Sequence, residues 1–457
     1  MHLIEQYLNA FSSFMWGMPL VILLVGGGVF FMVYSRFLPY RHFGHAIGIL
    51  RGKYSSETDN GDISHYEALA TALSGTLGLG NITGVALAIT IGGPGAIFWM
   101  WITAVVGVAT KFFTASLAIM YRGYDSKGHL QGGPMYVIRE GMGKKWLPLA
   151  WMFAICGLFG TLPVFQANQL VQVMRDVFAI PAGLTSANDH FTFDLMVGIS
   201  LSVIIGFIVV GKIQRIASIT SKVVPLMVVF YFAVTAVLLS MNYESIPAML
   251  KLIVTDAFSG NSVAGGVIGA VIMIGVQRGA FSNEAGIGTE SMAHGAAKTN
   301  KPTREGLVAM VGPVVDTLIV CTCTALAILV SGVWKGDASG VTLTIQAYEL
   351  AFPGFGSYIL SIMVFFLSTS TILTFWYYGT KCAGFVFGAE REHYYIWVYL
   401  GLITIGSVAS LKAVIGFLDG MYAMMAIPTM ISTLVLAPKV MAAARQYFID
   451  FNPSKQH

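Results

Sequence analysis

The sequence predicts an all-α polytopic membrane protein with about eleven transmembrane helices. Hydrophobic residues make up 56% of the 457 residues and charged residues only 11%, whereas a soluble protein carries roughly 25% charged residues. Apolar runs near the ~20 residues that cross a bilayer recur along the chain. This composition excludes a soluble enzyme, and we expect the lipid bilayer, and no nucleic acid, as the surroundings.

Each predicted span is an apolar run flanked by polar or charged residues. No basic segment or small-residue cleavage site precedes the first run, so we interpret it as a retained span. The four cysteines fall in or beside the spans, which favours small buried side chains over disulfide or metal chemistry. The predicted spans are 17–35, 66–91, 96–121, 148–174, 194–211, 219–241, 262–294, 306–332, 356–380, 394–411 and 416–437.

Lysine and arginine are concentrated in alternate loops, and this pattern predicts the orientation. By the positive-inside rule the N-terminus lies outside and the C-terminus lies in the cytoplasm, with the protein in the inner (cytoplasmic) membrane of a bacterium or archaeon. The loops on the other side hold little beyond Arg175, Lys251, Lys335 and Lys412. The basic side holds Arg36, Arg41, Arg51, Lys53, Arg122, Lys127, Arg139, Lys144, Lys145, Lys212, Arg215, Lys298, Lys301, Arg304, Lys381, Arg391 and the tail from Lys439 to Lys455.

An odd number of spans divides into one extra helix and ten others. If the first helix is peripheral, spans two to six and seven to eleven start from opposite sides, which predicts an inverted repeat of five plus five helices. Two longer external segments, Tyr243–Phe258 and Val341–Phe352, are either surface helices or ordinary loops. The predicted regions are a peripheral helix and loop in 1–60, a first repeat in 61–258, a second repeat in 259–440 and a cytoplasmic tail in 441–457.

Two spans carry glycine-rich stretches, each in the first helix of its half. The stretches are Ser74–Gly84 and Gly275–Gly288, and each glycine weakens a helix by roughly 1 kcal/mol relative to alanine. Matching interruptions point to a site in mid-membrane, because unwound carbonyls can replace the water of a cation and freed N–H groups suit a carboxylate. The alternative is that the glycines only allow close helix crossing.

Charged residues inside the spans point to the same region. Arg278 and Glu284 lie six residues apart beside the second stretch, and we predict that they brace it as an ion pair or contact the ligand. Lys111, Glu290 and Asp316 also lie in or at the ends of spans. A charged side chain at the centre of a span costs roughly 2.5–3.5 kcal/mol of insertion free energy. No role is assigned to these three residues.

Several motifs resemble those of the alanine/glycine:cation symporter family, and together they cover most of the chain. They are Gly78–Ile82, Gly92–Trp101 followed by Gly107, Gly132–Tyr136, Gly143–Trp146, Arg278–Gly279, Phe281–Gly286 and Asp316–Thr317. The resemblance implies a LeuT-like fold, coupling to sodium or occasionally to protons, a small neutral amino acid such as alanine or glycine as substrate, and no cofactor beyond the coupling ion.

The resemblance also implies a substrate site. Backbone N–H groups of the first interruption would hold the substrate carboxylate, and carbonyls from Gly279 to Phe281 would receive the ammonium group. Gln166 is the predicted side-chain contact, although two amides on one helix, at 166 and 168, could equally be interhelical glue. The predicted substrate-binding residues are Thr76, Gly78, Gly80, Asn81, Gln166, Asn168, Gly279, Phe281 and Ser282.

A sodium site follows from the same resemblance. Carbonyls of Ser74 and Leu77 and hydroxyls of Ser370 and Thr371 would supply the oxygen ligands. From the residues alone, the alternative is that these hydroxyls bond to carbonyls one turn back in their own helix.

Departures from the family pattern put alanine itself in question as the substrate, and glycine, serine, glutamine or another small amino acid would fit. The departures are Thr114 and Thr380 where the family has Glu, Thr374–Phe375 where it has Gly-Trp, Thr83 and Leu87 in place of smaller residues, and Thr289–Glu290 after Gly288.

Other function classes fit the sequence less well. A proton-coupled transporter, or a transporter of altered specificity, would use the same interrupted helices. A non-transporting sensor would bind the same amino acid. A channel needs a continuous pore or filter. An intramembrane enzyme needs a convergent catalytic set, and the sequence shows none.

Overall fold

The computed structural model describes residues 2–54, 59–209, 213–259 and 268–451. Within these ranges the chain is helical almost throughout, because a segment in lipid must satisfy its backbone hydrogen bonds internally. The ends of predicted span 194–211 and of predicted tail 441–457, and the start of predicted span 262–294, lie outside the described residues.

Five helices precede the first interrupted span. Their bounds are α1 (His2–Met15), α2 (Met18–Val21), α3 (Gly27–Tyr34), α4 (Leu38–Arg41) and α5 (Phe43–Leu50). The sequence did not predict α1, which meets the first span at 46° and packs on the last helix of the chain. There Phe11 packs directly on Gly420, since a Cβ added to Gly420 would lie 2.1 Å from Phe11 Cε1.

The described residues between 65 and 259 contain two strands and nine helices. They are α6 (His65–Thr76), α7 (Thr83–Gly92), α8 (Ala96–Met120), β1 (Gly123–Tyr124), β2 (Leu130–Gln131), α9 (Pro134–Tyr136), α10 (Leu147–Gly160), α11 (Val164–Val173), α12 (Phe191–Val209), α13 (Ile213–Met241) and α14 (Ile246–Ser259). The strands form one antiparallel pair that closes a loop.

The described residues between 268 and 451 contain nine further helices. They are α15 (Ile268–Asn283), α16 (Glu290–His294), α17 (Pro302–Ala309), α18 (Val311–Pro313), α19 (Thr322–Ser331), α20 (Val341–Ala351), α21 (Gly356–Phe387), α22 (Tyr395–Val408) and α23 (Leu411–Phe451). Short π-helical or 3₁₀ turns join or extend helices at Ile22–Gly26, Leu79–Asn81, Val137–Met142, Lys144–Trp146, Met174–Ala179, Tyr243–Ser245, Val314–Cys321, Val333–Lys335 and Glu392–Tyr394.

The described residues contain seven helices long and apolar enough to cross a membrane, and two bent pairs bring the number to nine. Every predicted span coincides with helix, but α15 and α22, with 16 and 14 residues, are not among the nine. The membrane-spanning helical class is confirmed, while the count of eleven and the five-plus-five repeat remain predictions. The two longer connecting segments form α14 and α20, so the helical alternative is correct for both.

Helix α8 lies at the centre and positions the second interrupted helix. Its residues Phe112 and Phe113 are fully buried, and α15 and α17 pack along it. A Cβ on Gly275 of α15 would lie 2.5 Å from Trp99 Cβ and 2.6 Å from Ala96 O. Glycine at this position therefore allows two backbones to approach closely, as small residues do at membrane helix crossings.

Candidate functional site

The first interruption lies where the sequence predicts it. Helix α6 ends at Thr76 and α7 begins at Thr83, with their axes bent by 55°. Leu77 has φ −72° and ψ 69°, and Gly78 N donates to Thr76 O at 2.8 Å. This is the geometry of a three-residue turn, so the backbone here leaves the helical pattern while remaining buried.

The second interruption begins later than the sequence predicts. Helix α15 continues through Gly275 and Gly279 and ends only at Asn283, and α16 begins at Glu290. Between them Glu284, Gly286 and Gly288 have φ of 55°, 84° and 97°. These left-handed conformations suit glycine but cost energy at a glutamate. The prediction that the break starts at Gly275 is wrong, because the earlier glycines serve the crossing with α8.

The first interruption touches the end of α15. A Cβ on Gly80 would lie 3.4 Å from Ser282 Cα and 3.5 Å from Phe281 Cδ1. Gly80, Phe281 and Ser282 of the predicted substrate residues therefore lie together. Gly279 lies instead against Met100 and Thr103 of α8.

Asp316, in the π-helical turn Val314–Cys321, connects the first interruption to the end of α15, and we call this contact the junction. Its Oδ1 accepts a hydrogen bond from Asn81 Nδ2 at 2.6 Å, and its Oδ2 accepts from Ser282 Oγ at 2.9 Å and from Thr317 Oγ1 at 2.7 Å. All four side chains are buried. Among the described residues Asn81 Oδ1 has no protein partner, which leaves a free acceptor at the junction.

The sequence had left Asp316 without a role. A carboxylate inside an apolar span was the available signal, since such residues are costly and usually functional. Its partners lie 235 and 34 residues away, so the connection itself required the fold.

The predicted sodium residues lie together between α6 and α21. Thr371 Oγ1 donates to Ser74 O at 2.9 Å, and Ser74 Oγ donates to Ser370 O at 2.8 Å. A Cβ on Gly78 would lie 2.5 Å from Thr371 Oγ1. Leu77 follows directly in the turn and is buried. The cluster gathers carbonyl and hydroxyl oxygens beside unwound backbone, the donor set that suits sodium.

The hydroxyls of α21 also form hydrogen bonds to a carbonyl one turn back in their own helix, as the alternative interpretation predicts. Ser370 Oγ and Thr371 Oγ1 both lie within hydrogen-bond distance of Leu367 O, at 3.1 and 2.9 Å. Thr371 Oγ1 therefore faces two carbonyls, one in its own helix and one in α6. A hydroxyl that donates one proton still offers its lone pairs to a cation.

Gln166 and Asn168 have different surroundings although both are buried on α11. Asn168 Nδ2 donates to Gly406 O at 3.1 Å and Ala409 O at 2.7 Å, and its Oδ1 accepts from Gln169 Nε2. In contrast, Gln166 Oε1 has no protein partner among the described residues. Asn168 thus acts as the interhelical contact, and of the two amides Gln166 keeps the free acceptor.

The predicted ion pair between Arg278 and Glu284 is not formed. Arg278 Nη2 instead contacts Asp419 Oδ2 of α23, and Gln277 Nε2 donates to the same oxygen at 2.9 Å. Glu284 accepts from Thr289 Oγ1 at 2.5 Å and from Tyr422 OH at 3.3 Å. The predicted ion pair is therefore wrong. Arg278 is bonded to Asp419 of α23, and Glu284 is bonded to Tyr422 of α23 and to Thr289 of its own loop.

Aromatic side chains close the junction on the side of this pair. The Arg278 guanidinium lies 5.7 Å from the centre of the Phe281 ring. Phe281 lies 5.6 Å from Phe165 and 5.2 Å from Tyr422, between ring centres. These three rings form an aromatic wall beside the junction. Phe281 lies next to Gly80 on one side and next to Arg278, of the buried Arg278–Asp419 pair, on the other.

Several departures from the family pattern lie in contact with one another or near the site. Thr114 Oγ1 donates to Glu290 Oε1 at 3.1 Å, so the departures at Thr114 and Glu290 share one contact. Thr374 Oγ1 lies 3.4 Å from Thr71 O, and Thr83 Oγ1 lies 3.3 Å from Gln169 Oε1. These hydroxyls are thus used by the protein itself.

A cavity of about 600 Å³ opens on the basic side of the molecule. Asp62, Ile213, Lys381 and Glu392 lie on its walls, and Thr380 is also part of the lining. Burial raises the pKa of the Glu392 carboxyl above its ordinary value. Trp376 and Tyr377 of α21, which follow Thr371 by five and six residues, also line the cavity.

Comparisons with known proteins identify the family. A model of the "Sodium:alanine symporter family" matches residues 1–457. The chain is 37% identical over 447 residues to the "Sodium/alanine symporter AgcS" of Methanococcus maripaludis, covering 96% of each chain. It is 32% identical over 450 residues to the "Probable sodium/glutamine symporter GlnT" of Bacillus subtilis, covering 97% of this chain and 91% of that one.

A solved structure shares the fold. The crystal structure of MhsT in complex with L-phenylalanine matches with a TM-score of 0.58 at 12% identity, over 84% of this chain and 98% of MhsT. At this identity the likeness shows the fold alone, and it confirms the predicted LeuT-like class. Together, these matches show that the chain belongs to the sodium:alanine symporter family of secondary membrane transporters.

Proposed function

We propose that the protein is a symporter that couples the inward movement of sodium to that of a small neutral amino acid by alternating access. The observation that carries the proposal is the junction at Asp316. The junction brings together the free amide oxygen of Asn81, the unwound backbone of the first interruption and the end of α15, all of them buried. The relatives named for alanine and for glutamine support a neutral amino acid as cargo.

The substrate's two charges have complementary partners at this junction. The carboxylate would accept a hydrogen bond from the backbone N–H group of Gly80, just before α7, where the helix dipole favours negative charge. The N–H groups of Gly78 and Asn81 already donate to Thr76 O and Gly78 O, so they would have to exchange these partners for the carboxylate. The ammonium group would lie against the last carbonyls of α15, near Phe281 and Ser282, where the dipole has the opposite sign. The Asp316 carboxylate adds negative charge nearby and holds Asn81 and Ser282 in place.

The substrate side chain would face the aromatic wall. Phe281 packs between Phe165 and Tyr422, which favours a short apolar or uncharged side chain. Gln166 would contribute its free amide oxygen. A charged side chain would be left unpaired against these rings, at a high desolvation cost.

Sodium would bind between α6 and α21 at the oxygens of Ser74, Leu77, Ser370 and Thr371. Because this cluster spans two helices, an ion there would favour the conformation in which the helices are close. The movement of one positive charge across ~100 mV contributes about 2.3 kcal/mol, enough for roughly 50-fold accumulation of the amino acid. The Arg278–Asp419 pair and Phe281 would close the route on the side that the charge rule assigns to the outside.

A second candidate is coupling to protons in place of sodium. It is favoured by Glu284 and Glu290, two fully buried carboxylates near the second interruption. Uptake into vesicles driven by a pH gradient, with sodium absent, would support this candidate. Uptake that requires sodium at every pH would exclude it.

Thermal stability of the purified protein tests the proposal directly. Each amino acid is added with and without sodium, since a ligand that binds only the folded state stabilises it by RT ln(1 + [L]/Kd), about 2.7 kcal/mol at 100-fold Kd. We expect a sodium-dependent rise in Tm with one or a few small neutral amino acids. The absence of any shift across all amino acids, with or without sodium, would contradict the proposed substrate class.

A further inference from the structure

A second cavity, of about 400 Å³, lies at the basic end of the first span. Its lining comes from two parts of the chain, the turn between α3 and α4 and the last stretch of α23. Arg36 follows the predicted span 17–35 directly, and Arg445 lies a short way beyond the predicted span 416–437. The cavity therefore lies close to the level at which the hydrocarbon core meets the lipid headgroups.

The lining of this cavity is strongly basic. Arg36, Arg41, His42 and Arg445 contribute to it, and no acidic residue does so among those that the structure describes. The larger cavity differs, because acidic residues such as Asp62 accompany its basic ones. Like charges gathered around one space repel each other, and an anion placed among them replaces repulsion by attraction.

The three arginines have no partner of their own. Within the described ranges, the guanidinium groups of Arg36, Arg41 and Arg445 form no hydrogen bond or ion pair with the protein. In contrast, Arg122 on the same side donates to Gly295 O at 2.8 Å. An arginine without a protein partner keeps all five N–H donors for a ligand, and its planar fork matches the oxygens of a phosphate group.

His42 adds a further polar atom to the lining. Its Nδ1 lies 3.0 Å from Leu38 O, and because a carbonyl oxygen can only accept, Nδ1 carries a proton. Its ring lies 4.0 Å from that of Phe448 in α23, between ring centres. Nε2 is therefore the ring nitrogen left for a ligand, as an acceptor from a hydroxyl when the imidazole is neutral.

The turn that carries Arg36 has an unusual backbone. Arg36 and Phe37 both have positive φ, of 52° and 59°, a conformation that costs energy in residues other than glycine. Hydrogen bonds from Arg36 N to Val33 O at 2.8 Å and from Phe37 N to Met32 O at 3.0 Å hold the turn. Strain of this kind is common at ligand clamps, and here it reverses the chain so that Arg41 reaches the same cavity as Arg36.

The walls of the cavity are fixed by the packing of α3 and α4. Gly27 of α3 lies against Met430 of α23, and a Cβ on Gly28 would lie 2.7 Å from Val106 Cβ of α8. Tyr40 OH of α4 donates to Val105 O of α8 at 2.5 Å. The basic cavity is therefore built by the fold, and its arginines are brought together without a ligand.

The other face of α3, beside the cavity, is apolar and exposed. Val29, Phe30, Val33 and Phe37 have exposed fractions of 40–58%, whereas Phe31 on the packed face is fully buried. An exposed apolar face that ends at a group of arginines fits the two parts of a phospholipid, its acyl chains and its headgroup. A free phosphate ion would make use of the arginines alone.

We propose that this cavity binds the headgroup of an anionic phospholipid. Arg36, Arg41 and Arg445 hold its phosphate, and its acyl chains lie along the exposed face of α3. The charge rule assigns this end of the span to the cytoplasm, where membrane surfaces are anionic and basic pockets between helices bind such headgroups. A headgroup shared by the α3–α4 turn and α23 links the peripheral helix to the core. Orientation of the chain needs only the charges, and predicts no selective binding in a cavity.

Native mass spectrometry of the full chain in detergent measures the binding. Phosphatidylglycerol is the anionic probe, phosphatidylcholine carries the same phosphate without net charge, and inorganic phosphate lacks the acyl chains. The test variant combines Arg36→Gln, Arg41→Gln and Arg445→Gln. The control variant removes the same charge at exposed residues outside the cavity lining, and combines Lys145→Gln, Arg215→Gln and Arg391→Gln.

We expect wild type to bind phosphatidylglycerol about tenfold or more tightly than phosphatidylcholine. The test variant should bind phosphatidylglycerol roughly 100-fold more weakly, since each arginine near an anionic lipid contributes about fivefold, and the control variant should remain within about threefold of wild type. Equal losses in both variants, wild-type affinity in the test variant, or equal affinity for the two lipids would overturn the inference. Inorganic phosphate that displaces the lipid at equal concentration would also overturn it, because the site would then be one for a phosphate ion.

A photoreactive phosphatidylglycerol, with the reactive group on its headgroup, locates the site in the wild-type protein and does not depend on the folding of a variant. We expect labelled peptides from 34–45 and 441–448. Equal labelling of the other basic loops, such as 122–145 and 381–391, would contradict a single headgroup site. Neither measurement uses uptake, so both are independent of the proposed transport function.

Discussion

The two interrupted helices are opened in different ways, although the sequence makes them look alike. The first opens by a short turn at Leu77–Gly78. Because Gly78 has no side chain, the hydroxyl of Thr371 can lie against it. The second opens over six residues, three of them with positive φ, and side chains hold the loop. Thr289 and Tyr422 bond to Glu284, and Asn283 Oδ1 accepts from Ala285 N.

This difference separates binding from closure. The first interruption presents backbone beside the oxygens of α21, so a change there should alter affinity for ions and substrate. The second is anchored to α23 and to its own side chains, so a change there should alter stability or gating. Asp316 connects the first interruption to the helix that leads into the second, since it bonds to Asn81 on one side and Ser282 on the other.

The largest effect is expected from Asp316→Ala, which removes the shared acceptor. Three donors lose their partner in a buried place, at about 1–3 kcal/mol each, and we expect sodium-dependent uptake to fall by roughly 100-fold or more. Asp194→Asn, a buried carboxylate bonded to Arg175, is the matched control. Near-normal uptake by Asp316→Ala would show that the two interruptions work independently.

Gly78→Ala should selectively disturb the first interruption. The added Cβ would lie 2.5 Å from Thr371 Oγ1, and such overpacking costs about 1–3 kcal/mol. We expect a roughly tenfold or greater rise in the sodium concentration for half-maximal uptake. Gly84→Ala adds a methyl group to open space in the same region and should behave as wild type. An unaltered sodium requirement would place the ion elsewhere.

Gly288→Ala should affect stability more than affinity. Its φ of 97° disfavours a side chain, and the added Cβ would lie 2.6 Å from Thr429 Oγ1. We expect a loss of about 2–4 kcal/mol in the free energy of unfolding, seen as a lower Tm with an unchanged KM for the protein that remains folded. Gly332→Ala, with φ of 75° and open space around it, measures the backbone strain alone.

The smallest effects should separate Gln166 from Asn168. Gln166→Ala removes a free acceptor and should weaken substrate affinity by about tenfold with little change in Tm. Asn168→Ala breaks the contact with α22 and should cost about 1 kcal/mol of stability with little change in affinity. The reverse pattern would mean that Asn168 turns towards the substrate in the transport cycle.

The sequence predicted the membrane-spanning helical class and the first interruption, because these depend on local hydrophobicity and on glycines interleaved with polar residues. The sodium residues came from the family resemblance, and their role remains a prediction. The sequence misplaced the second interruption because Gly275 and Gly279 look the same whether a helix unwinds there or another helix crosses closely. Trp99 and Ala96, which require glycine at 275, lie in a different helix.

The partners of charged residues were beyond the reach of the sequence. Asp419 lies 141 residues from Arg278, whereas Glu284 is six residues away, and proximity along the chain favoured the wrong partner. The departures at Thr114 and Glu290 also looked independent. Their hydrogen bond shows that they share one buried contact between α8 and α16.

The central claim is that sodium and the amino acid bind at adjacent sites on either side of the first interruption, and the most direct test is the mutual dependence of their affinities. Binding of radioactive sodium to purified protein is measured with and without the amino acid that raises Tm, and binding of that amino acid with and without sodium. If the sites are coupled, each ligand must increase the affinity of the other by the same factor, typically 5–150-fold. Equal factors well above one are predicted, and sodium and amino acid affinities that ignore each other would contradict the account.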